Sequence, residues 1–416
     1  MKTKKKINAG TLWSALVVVL VYAGVFIAEQ NLPSTSMLFT VLKKGATYAL
    51  VAVSMNLLNG FTGLFSLGQA GFMLIGAYTY AIFTIPVADR LNVYQYYDGG
   101  LIQFAMPVIP ALIVAGLAAA LFAFLIGMPV LRLKSDYLAI ATLGFAEILR
   151  AIFQWNKLGA VTNGSNILRE FPTFNDFNIV NAEGEVVVYL STLVPFLIAG
   201  VCIALIVMLI NSTFGRSLRA IKDDEIAAEA MGINLFHHKQ MSFCISSFFA
   251  GIGGAMLAMY QSTIQAKAFT SAMTYEILLI VVIGGIGSVT GSCISSFLFV
   301  ACSEWWLRFL DQKQMIGNFE VPLLRTGFRL VVFSIIIMIV VLFFRQGIMG
   351  TKELPDLFKP RRKKPKAAPA AAVAAAPVQA AAAAEAAPAA VEEAAPAEAA
   401  AEDAAEAANT QEGGEA

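Results

Sequence analysis

The stretch NSTFGRSLRAIKDDEIAAEAMGINLFHHK, residues 211–239, lies between two long apolar stretches, 187–210 and 241–259. It contains four acidic residues, four basic residues and both histidines of the chain. Each flanking stretch is mostly free of charge and long enough to cross roughly 30 Å of hydrocarbon as an α-helix. A charged segment between two such helices indicates a membrane protein that exposes a polar surface outside the bilayer.

Apolar runs of this kind recur along the chain. Of its 416 residues, 58% are hydrophobic and 14% are charged, whereas a soluble domain is about half apolar and a quarter charged. Open strands cannot span lipid, and the runs lack the period-2 alternation of a membrane barrel. The sequence therefore predicts an all-α polytopic membrane protein of about ten transmembrane or re-entrant helices. The predicted spans are Leu12–Ala28, Gly45–Leu58, Phe72–Val87, Gln103–Met128, Tyr137–Trp155, Val187–Ile210, Met241–Met259, Ile277–Val289, Ser292–Leu310 and Thr326–Phe344.

Basic residues near the span ends predict which side each loop faces, because lysine and arginine favour the cytoplasmic side of short loops. Under this count one side of the membrane carries the N-terminal lysines, the loop 129–136, the segment 211–240 and the residues after 344. Both termini are therefore expected in the cytoplasm. Lys43 and Lys44 do not fit this topology. Either they snorkel at the outer interface, or the second span is misplaced.

Two predicted spans, Gly45–Leu58 and Ile277–Val289, are too short to cross untilted, and each runs into a glycine-rich stretch, 59–72 or 283–292. Irregular backbone at membrane depth is tolerated only where it lines a cavity or is covered by protein. Short, glycine-interrupted spans in both halves of a transporter point to the substrate path. The alternative is that these glycines simply let helices pack closely. The residues predicted for the path are Asn59, Gly60, Gly63, Ser66, Gly68, Gln69, Gly284, Gly285, Gly287 and Ser288.

Within the charged segment, KDDEIAAEAMGI (222–233) predicts a short helix. Acidic residues suit its electropositive start, and a glycine is suited to end it. Its alanines leave a nearly bare surface that fits a groove on another protein, and the preceding arginines suit forked pairs with carboxylates. The alternative, a charged loop that sets topology, explains the arginines but not the alanine–glycine patch. The residues predicted for docking are Arg216, Arg219, Asp223, Asp224, Ala227, Ala228 and Gly232.

Charged residues also lie inside predicted spans. Glu147 and Arg150 are three residues apart, so they share a helix face and are able to neutralise each other. They form either a polar element beside the path or a structural ion pair between packed helices, and Glu304 with Arg308 allows the same two interpretations. A lone charge at the bilayer centre costs about 2.5–3.5 kcal/mol on insertion scales.

Several functional classes are excluded by missing motifs. The chain has no G-x-x-x-x-G-K-[ST] nucleotide loop, no H-E-x-x-H and no G-x-S-x-G. We therefore expect no enzyme active site, no metal site and no cofactor on this chain. The predicted organisation is a membrane domain over 1–350, which includes the segment 211–240, and a tail over 351–416. The tail is basic and then rich in Ala, Pro and Glu, which is typical of a disordered segment.

Four stretches of the chain have a distinctive composition and order. They are NLLNGFTGLFSLGQAGFMLIGAY (56–78), LRLKSDYLAIATLGFAEILR (131–150), FGRSLRAIKDDEIAAEAMGIN (214–234) and EILLIVVIGGIGSVTGS (276–292). Together they resemble the permease subunits of branched-chain amino acid ABC importers, of the LivM type. A fifth stretch, FRQGIMG (344–350), is similar to the closing signature of that family.

The resemblance implies a set of partners and a location. It implies a second permease subunit (LivH-like), two cytoplasmic ATP-binding subunits that bind the ATP, a periplasmic or lipid-anchored substrate-binding protein, membrane lipids and no nucleic acid. The location implied is the bacterial cytoplasmic (inner) membrane, with 223–232 as the coupling helix. The chain departs from the family at Ile226, where a glutamate is usual, and at Gln69, where histidine is frequent.

The function expected from these observations is import of branched-chain, small aliphatic amino acids, powered by separate ATPase subunits. One alternative within the same family is a permease for urea or short amides. Another, from a different class, is a secondary transporter or channel that runs on an ion gradient. That alternative predicts transport by the isolated chain, whereas an importer subunit requires its partners.

Overall fold

The structure, a computed structural model, describes residues 9–33, 36–133, 135–181 and 185–307, and a few positions beyond. Those later positions are 315–316, 319–320, 332, 334–335, 338, 347–350 and 353. The described residues are mainly helical, which confirms the predicted all-α class. The helices are α1 Ala9–Asn31, α2 Met37–Asn56, α3 Gln69–Thr84, α4 Arg90–Val93, α5 Val108–Val130, α6 Ser135–Phe153, α7 Gly159–Thr162, α8 Leu193–Ile210, α9 Thr213–Asp223, α10 Glu225–Ala230, α11 Leu235–Gln261, α12 Ser271–Gly284 and α13 Val289–Val300.

Strands are short and lie outside these helices. Two small antiparallel pairs join β1 to β2 and β3 to β4, and the first has an irregular register between Ile179 and Val180. The β1–β2 pair interrupts the sequence before α8, so the predicted start of that span at Val187 is too early. The strands are β1 Ile179–Val180, β2 Val186–Val188, β3 Met315–Ile316 and β4 Phe319–Glu320.

Four helices in the described part of the chain are long and apolar enough to cross a membrane, or up to six if each of two bent pairs is one span. One bent pair joins α3 to Val87–Val93 at 98°, and the other joins Tyr137–Phe153 to Asn156–Thr162 at 62°. The predicted span Thr326–Phe344 and the end of Ser292–Leu310 lie largely outside the described residues. The four long helices are Met37–Thr62, Val108–Val130, Leu193–Ile210 and Leu235–Gln261.

The second membrane-spanning helix begins earlier than the span predicted for it. Helix α2 begins at Met37 and continues through a π-helical turn, Leu57–Thr62, to give 26 residues in all. It is therefore long enough to cross, and the predicted span Gly45–Leu58 was misplaced. Lys43 and Lys44 lie inside α2, where Lys43 Nζ donates to Ser191 Oγ at 2.7 Å. Lys44 Nζ contacts Glu304 Oε1 at 2.5 Å, so a paired charge lies within the helix rather than at its end.

The centre of the bundle is formed by α2, α3, α5 and α11, and small residues bring their backbones together. A Cβ added at Gly76 would lie 2.0 Å from the carbonyl oxygen of Gly251, and one added at Gly254 would lie 2.0 Å from that of Met73. Small residues at membrane helix interfaces allow this close approach. The outer helices instead expose apolar side chains, as expected for surfaces that face lipid. On α8 these are Leu197, Val201, Leu205 and Met208.

The bundle has two distinct ends. Helix α11 has 27 residues and is about 40 Å long at 1.5 Å per residue. It begins beside α10, and just beyond its C-terminus Ile264 pairs with Leu168 of the loop 156–191. We call α9 and α10 the arm, the end that carries them the arm end, and the end that carries the loop 156–191 the loop end.

Candidate functional site

The side chain of Asn56, fully buried at the C-terminus of α2, holds the turn between α12 and α13. Its Nδ2 donates to the carbonyl oxygen of Ser288 at 2.9 Å and to Ser292 Oγ at 2.8 Å, and its Oδ1 accepts from the N–H of Gly287 at 2.8 Å. A buried backbone N–H needs such a partner. One carboxamide therefore joins the end of α2, which runs into the first glycine-rich stretch, to the second glycine-rich stretch. We call Asn56 and the turn 285–288 the Asn56 junction.

Glycines allow the close contacts of this junction. A Cβ added at Gly60 would lie 1.9 Å from Asn56 Oδ1 and 2.7 Å from the backbone nitrogen of Gly287. Gly285 and Gly287 have φ values of +114° and +95°, which side chains rarely adopt. A Cβ at Gly285 would also lie 2.4 Å from the carbonyl oxygen of Gly350. At these positions the geometry matches the interpretation that the glycines permit close packing.

The closing motif lies against the same turn. The N–H of Ile348 donates to the carbonyl oxygen of Ile283 at 2.8 Å, and that of Met349 donates to Gly284 at 3.2 Å. Glu353 accepts from the N–H groups of Val289 at 2.7 Å and Thr290 at 3.1 Å, where α13 begins. A carboxylate at a helix N-terminus stabilises it. The stretch 276–292, residues 347–350 and Glu353 therefore form one structural unit.

The remaining predicted path residues also bond within the protein. Gln69 Nε2 donates to Ser54 Oγ at 2.7 Å, and Asn59 Oδ1 accepts from the N–H of Ser66 at 3.2 Å. Ser66 Oγ accepts from the N–H of Gly68 at 3.4 Å, and Ser288 Oγ accepts from that of Gly291 at 3.1 Å. Asn59 Nδ2 is buried and has no partner among the described residues. Whether these residues line a substrate path stays a prediction.

The docking helix was predicted to run from Asp223 to Gly232, but in the structure α9 ends at Asp223 and α10 covers only Glu225–Ala230. Asp224 separates α9 from α10 and caps α10, because its Oδ1 accepts from the N–H groups of Ile226 at 2.9 Å and Ala227 at 3.0 Å. Aspartate side chains bond readily to nearby backbone N–H groups and so favour helix starts over interiors. Gly232 has a φ of +85° two residues after α10 ends.

The exposed surface of α10 includes two large apolar side chains that sequence reasoning did not select. Ile226 lies in the first turn of α10 and Met231 directly follows its last residue, and each is 83% exposed. Ala227 is also exposed, but Ala228 is buried and faces the protein. The bare surface was predicted for Ala227, Ala228 and Ala230. Ala227 and Ala230 are exposed, whereas Ala228 is buried. Lys239 Nζ contacts Glu225 Oε2 at 2.7 Å, which holds α10 beside α11.

The arm touches the end of α2 through α9. Lys222 Nζ donates to the carbonyl oxygen of Gly60 at 2.7 Å, and its stem packs against Gly63, which has a φ of +78°. The guanidinium of Arg219 lies 5.5 Å from the ring centroid of Phe61. Arg216 and Asp223 are exposed. The structure therefore brings the predicted docking segment to the first glycine-rich stretch, and Lys222 is the contact that sequence reasoning missed.

The predicted pair of Glu147 and Arg150 is formed. Arg150 Nη2 lies 2.7 Å from Glu147 Oε2, and Glu147 Oε1 accepts from Ser271 Oγ at 2.8 Å and from its N–H at 3.3 Å. The pair thus holds α6 against the start of α12, which agrees with a structural role. Glu304 pairs with Lys44, and Arg308 lies outside the described residues. In the part of the chain that the structure describes, no group of three or more His, Cys, Asp or Glu side chains is placed to hold a metal ion.

The fold and the two glycine-rich stretches lie within one family region. Residues 37–344, more than half of the chain, match the family model described as branched-chain amino acid transport system / permease component. The chain belongs to this family. The resemblance predicted from the sequence is confirmed, and the family is one of transport permeases rather than of enzymes.

Relatives of this permease carry matching descriptions. It is 33% identical over 294 residues to the high-affinity branched-chain amino acid transport system permease protein LivM of Escherichia coli, and equally to LivM of Salmonella typhimurium. Each match covers 66% of this chain and 65% of the relative, so the chain spans about two thirds of their length. It is 24% identical over 339 residues to a probable LivM of Methanocaldococcus jannaschii, covering 76% of this chain and 94% of the relative. No solved structure matches the chain.

Proposed function

We propose that this permease is one subunit of an ATP-driven importer that moves branched-chain, small aliphatic amino acids across the cytoplasmic membrane into the cell. The descriptions of its relatives support this substrate class. The chain has no nucleotide loop of its own, so in this proposal separate ATP-binding subunits supply the energy.

The contact of Lys222 with Gly60 is the observation that carries the proposal. Helix α10 presents exposed apolar side chains outside the bundle, and α9 connects it to the end of α2. A partner that grips α10 therefore moves a segment bonded to the membrane helices. ATPase subunits that act from outside the bundle require such a connection to the membrane helices.

The route for that motion continues through the Asn56 junction. A shift of α9 pulls on the carbonyl of Gly60. The Cα of the same residue lies close to Asn56 Oδ1 and to the backbone nitrogen of Gly287, where a Cβ would not fit. Asn56 in turn bonds to the turn that joins α12 to α13. Nucleotide state biases the transport cycle only if the two access states bind the ATPase differently. We propose that the two access states differ in the position of the arm and in the angle between α12 and α13.

The proposed partners and orientation follow from the same assignment. Two ATPase subunits occupy the arm end, which is cytoplasmic together with both termini. A second permease subunit, LivH-like, lies beside this chain in the membrane, and a periplasmic or lipid-anchored binding protein delivers substrate at the loop end. The loop 156–191 has only two basic residues, Lys157 and Arg169. So few lysines and arginines agree with a non-cytoplasmic loop.

The glycine-rich stretches are predicted to line the substrate path, and their contacts support a more specific role in that path. The glycines at 60, 284, 285 and 287 permit helix contacts, and the neutral groups of Asn59, Ser66, Gln69 and Ser288 hold the loop and turn beside them. We propose that they form the mobile constriction of the path rather than a binding pocket.

Reconstitution tests this function. The chain is placed in liposomes with its partner permease, ATPases and binding protein, and leucine uptake is measured with and without ATP. Uptake that needs ATP and every partner is expected. Leucine uptake by the chain alone on an ion gradient would support the secondary-transporter alternative instead. ATP-driven uptake of urea or short amides, without uptake of leucine, would overturn the substrate class but not the importer mechanism.

A further inference from the structure

Between α3 and α5 the chain turns across the end of the bundle. Residues Val87–Val93 follow α3 at an angle of 98°, and α5 begins only at Val108. We propose that the segment 86–106 lies in the plane of the membrane at the loop end, with its apolar side chains in the boundary between lipid headgroups and acyl chains. In this position it anchors the adjoining ends of α3 and α5 to the bilayer.

Contacts of the segment place it at the level where the neighbouring membrane helix ends. Tyr94 Oη donates to the carbonyl oxygen of Val161 at 2.9 Å, and Asn163 Nδ2 donates to that of Val93 at 3.0 Å. Val161 and Asn163 belong to the turns that follow α6. Trp155, just after α6, is 56% exposed, and tryptophan is enriched at membrane–water interfaces. The segment is therefore at interface depth.

The segment separates its apolar side chains from its carboxamides. Leu91 and Leu101 are 68% and 74% exposed, and Phe104 is 51% exposed. Asn92 and Gln95 instead line a cleft that they share with Arg169 of the loop 156–191. Apolar side chains on one side and polar ones on the other are typical of a segment that lies within a membrane interface.

The apolar surface adjoins a helix face that is suited to lipid. On α5 the exposed residues Ile109, Ile113 and Leu117 follow one another at intervals of four, so they share one face. The ring of Phe104, just before α5, lies 5.6 Å from that of Phe83 at the end of α3. Since lipid covers the exposed face of a membrane-spanning helix, the same lipid is the occupant that reaches the segment beside it.

A buried arginine holds the segment in this orientation. Arg90 is 1% exposed, and its Nη2 donates to the carbonyl oxygens of Ile82 at 2.9 Å and Phe104 at 2.8 Å. Its Nη1 donates to the carbonyl oxygen of Ile102. One guanidinium thus fastens both halves of the segment to the last turn of α3, so the apolar side chains stay turned outward.

Fluorescence quenching by brominated lipid measures the depth of the segment. Leu91→Trp and Leu101→Trp are each placed in the full complex, in vesicles of phosphatidylcholine brominated either near the ester end or near the methyl end of the acyl chain. The signal is the difference from wild type, which has four tryptophans of its own. An interfacial segment is buried about 5–10 Å into the boundary, so we expect loss of emission with the shallow bromine and a smaller loss with the deep one.

Two matched variants calibrate the measurement. Leu117→Trp, in the middle of α5, should lose more emission to the deep bromine, and Ile179→Trp, exposed on β1 at the loop end, should lose none. Emission from Leu91→Trp and Leu101→Trp that resists both bromines would overturn the inference, because water or a partner subunit then covers the segment. Stronger quenching by the deep bromine would also overturn it, because the segment then enters the hydrocarbon core.

Discussion

Lys222 of α9 donates to the carbonyl oxygen of Gly60 across 2.7 Å, although 162 positions separate them in the chain. The contact joins the arm to the last turn of a largely buried membrane helix, Met37–Thr62. Gly60 lies in a π-helical turn, Leu57–Thr62, and π-helical turns occur frequently at functional sites. A cation at the end of a helix also interacts favourably with its carbonyl groups. The arm and the membrane helices are therefore mechanically continuous at this point.

Replacement of Lys222 should uncouple ATP hydrolysis from transport. Lys222→Met keeps much of the stem but loses the hydrogen bond to Gly60, so α9 is free to move without moving α2. We expect leucine uptake by the reconstituted importer to fall about tenfold, the effect of losing one charge-assisted hydrogen bond. ATPase activity should persist. Lys267→Met, at an exposed lysine near the loop end, is the control and should match wild type. A proportional loss of both activities in Lys222→Met would argue against coupling through this contact.

The exposed apolar side chains of α10 should bind the ATPase. Ile226 and Met231 are each 83% exposed, and apolar anchors in a partner's groove often dominate an interface. Ile226→Glu should reduce co-purification of the ATPase at least about tenfold, because a charge would be buried without a partner. Ile167→Glu is the matched control, since Ile167 is 50% exposed near the loop end. Undiminished ATPase recovery with Ile226→Glu would place the docking surface elsewhere.

The fold class and the long helices α5, α8 and α11 follow from uninterrupted apolar runs, which the sequence displays directly. The start of α2 does not, because Lys43 and Lys44 interrupt its apolar run. Their partners Ser191 and Glu304 lie 148 and 260 positions away. A local pattern cannot reveal that a charge is paired at such a distance, so the rule that charges end a span gave the wrong boundary.

The candidate site is likewise only partly predictable from the sequence. The glycine-rich stretches and the charged segment are visible in the sequence because their composition is unusual. Asn56 is a single polar residue at the end of an apolar run, and its partners lie 231 and 232 positions away. The break at Asp224 was ambiguous, because three consecutive acidic residues all suit a helix start.

Loss of the Asn56 side chain should destabilise the permease. Asn56→Ala leaves the N–H of Gly287 and the hydroxyl of Ser292 without this partner inside the protein. An unsatisfied buried group costs about 1–3 kcal/mol, so we expect a lower unfolding temperature in detergent, measured by intrinsic fluorescence. Asn211→Ala is the control, because Asn211 is exposed and, among the described residues, its side chain bonds only to the helix that it follows. Equal unfolding temperatures for Asn56→Ala and wild type would contradict the role of the junction.

The capping contacts of Asp224 should keep α10 folded in the free permease. Asp224→Ala removes the acceptor for the N–H groups of Ile226 and Ala227, and loss of such a cap costs about 0.5–2 kcal/mol. A six-residue helix has few other bonds to offset that loss, so amide exchange over 226–230 should accelerate several-fold while exchange in α11 is unchanged. Asp223→Ala is the matched control, since Asp223 is the adjacent exposed carboxylate and accepts neither bond. Equal acceleration by both substitutions would mean that charge near α10, and not the cap, stabilises it. If the arm transmits force only when α10 is folded, Asp224→Ala should also weaken ATPase recovery, and addition of excess ATPase should restore the slow exchange.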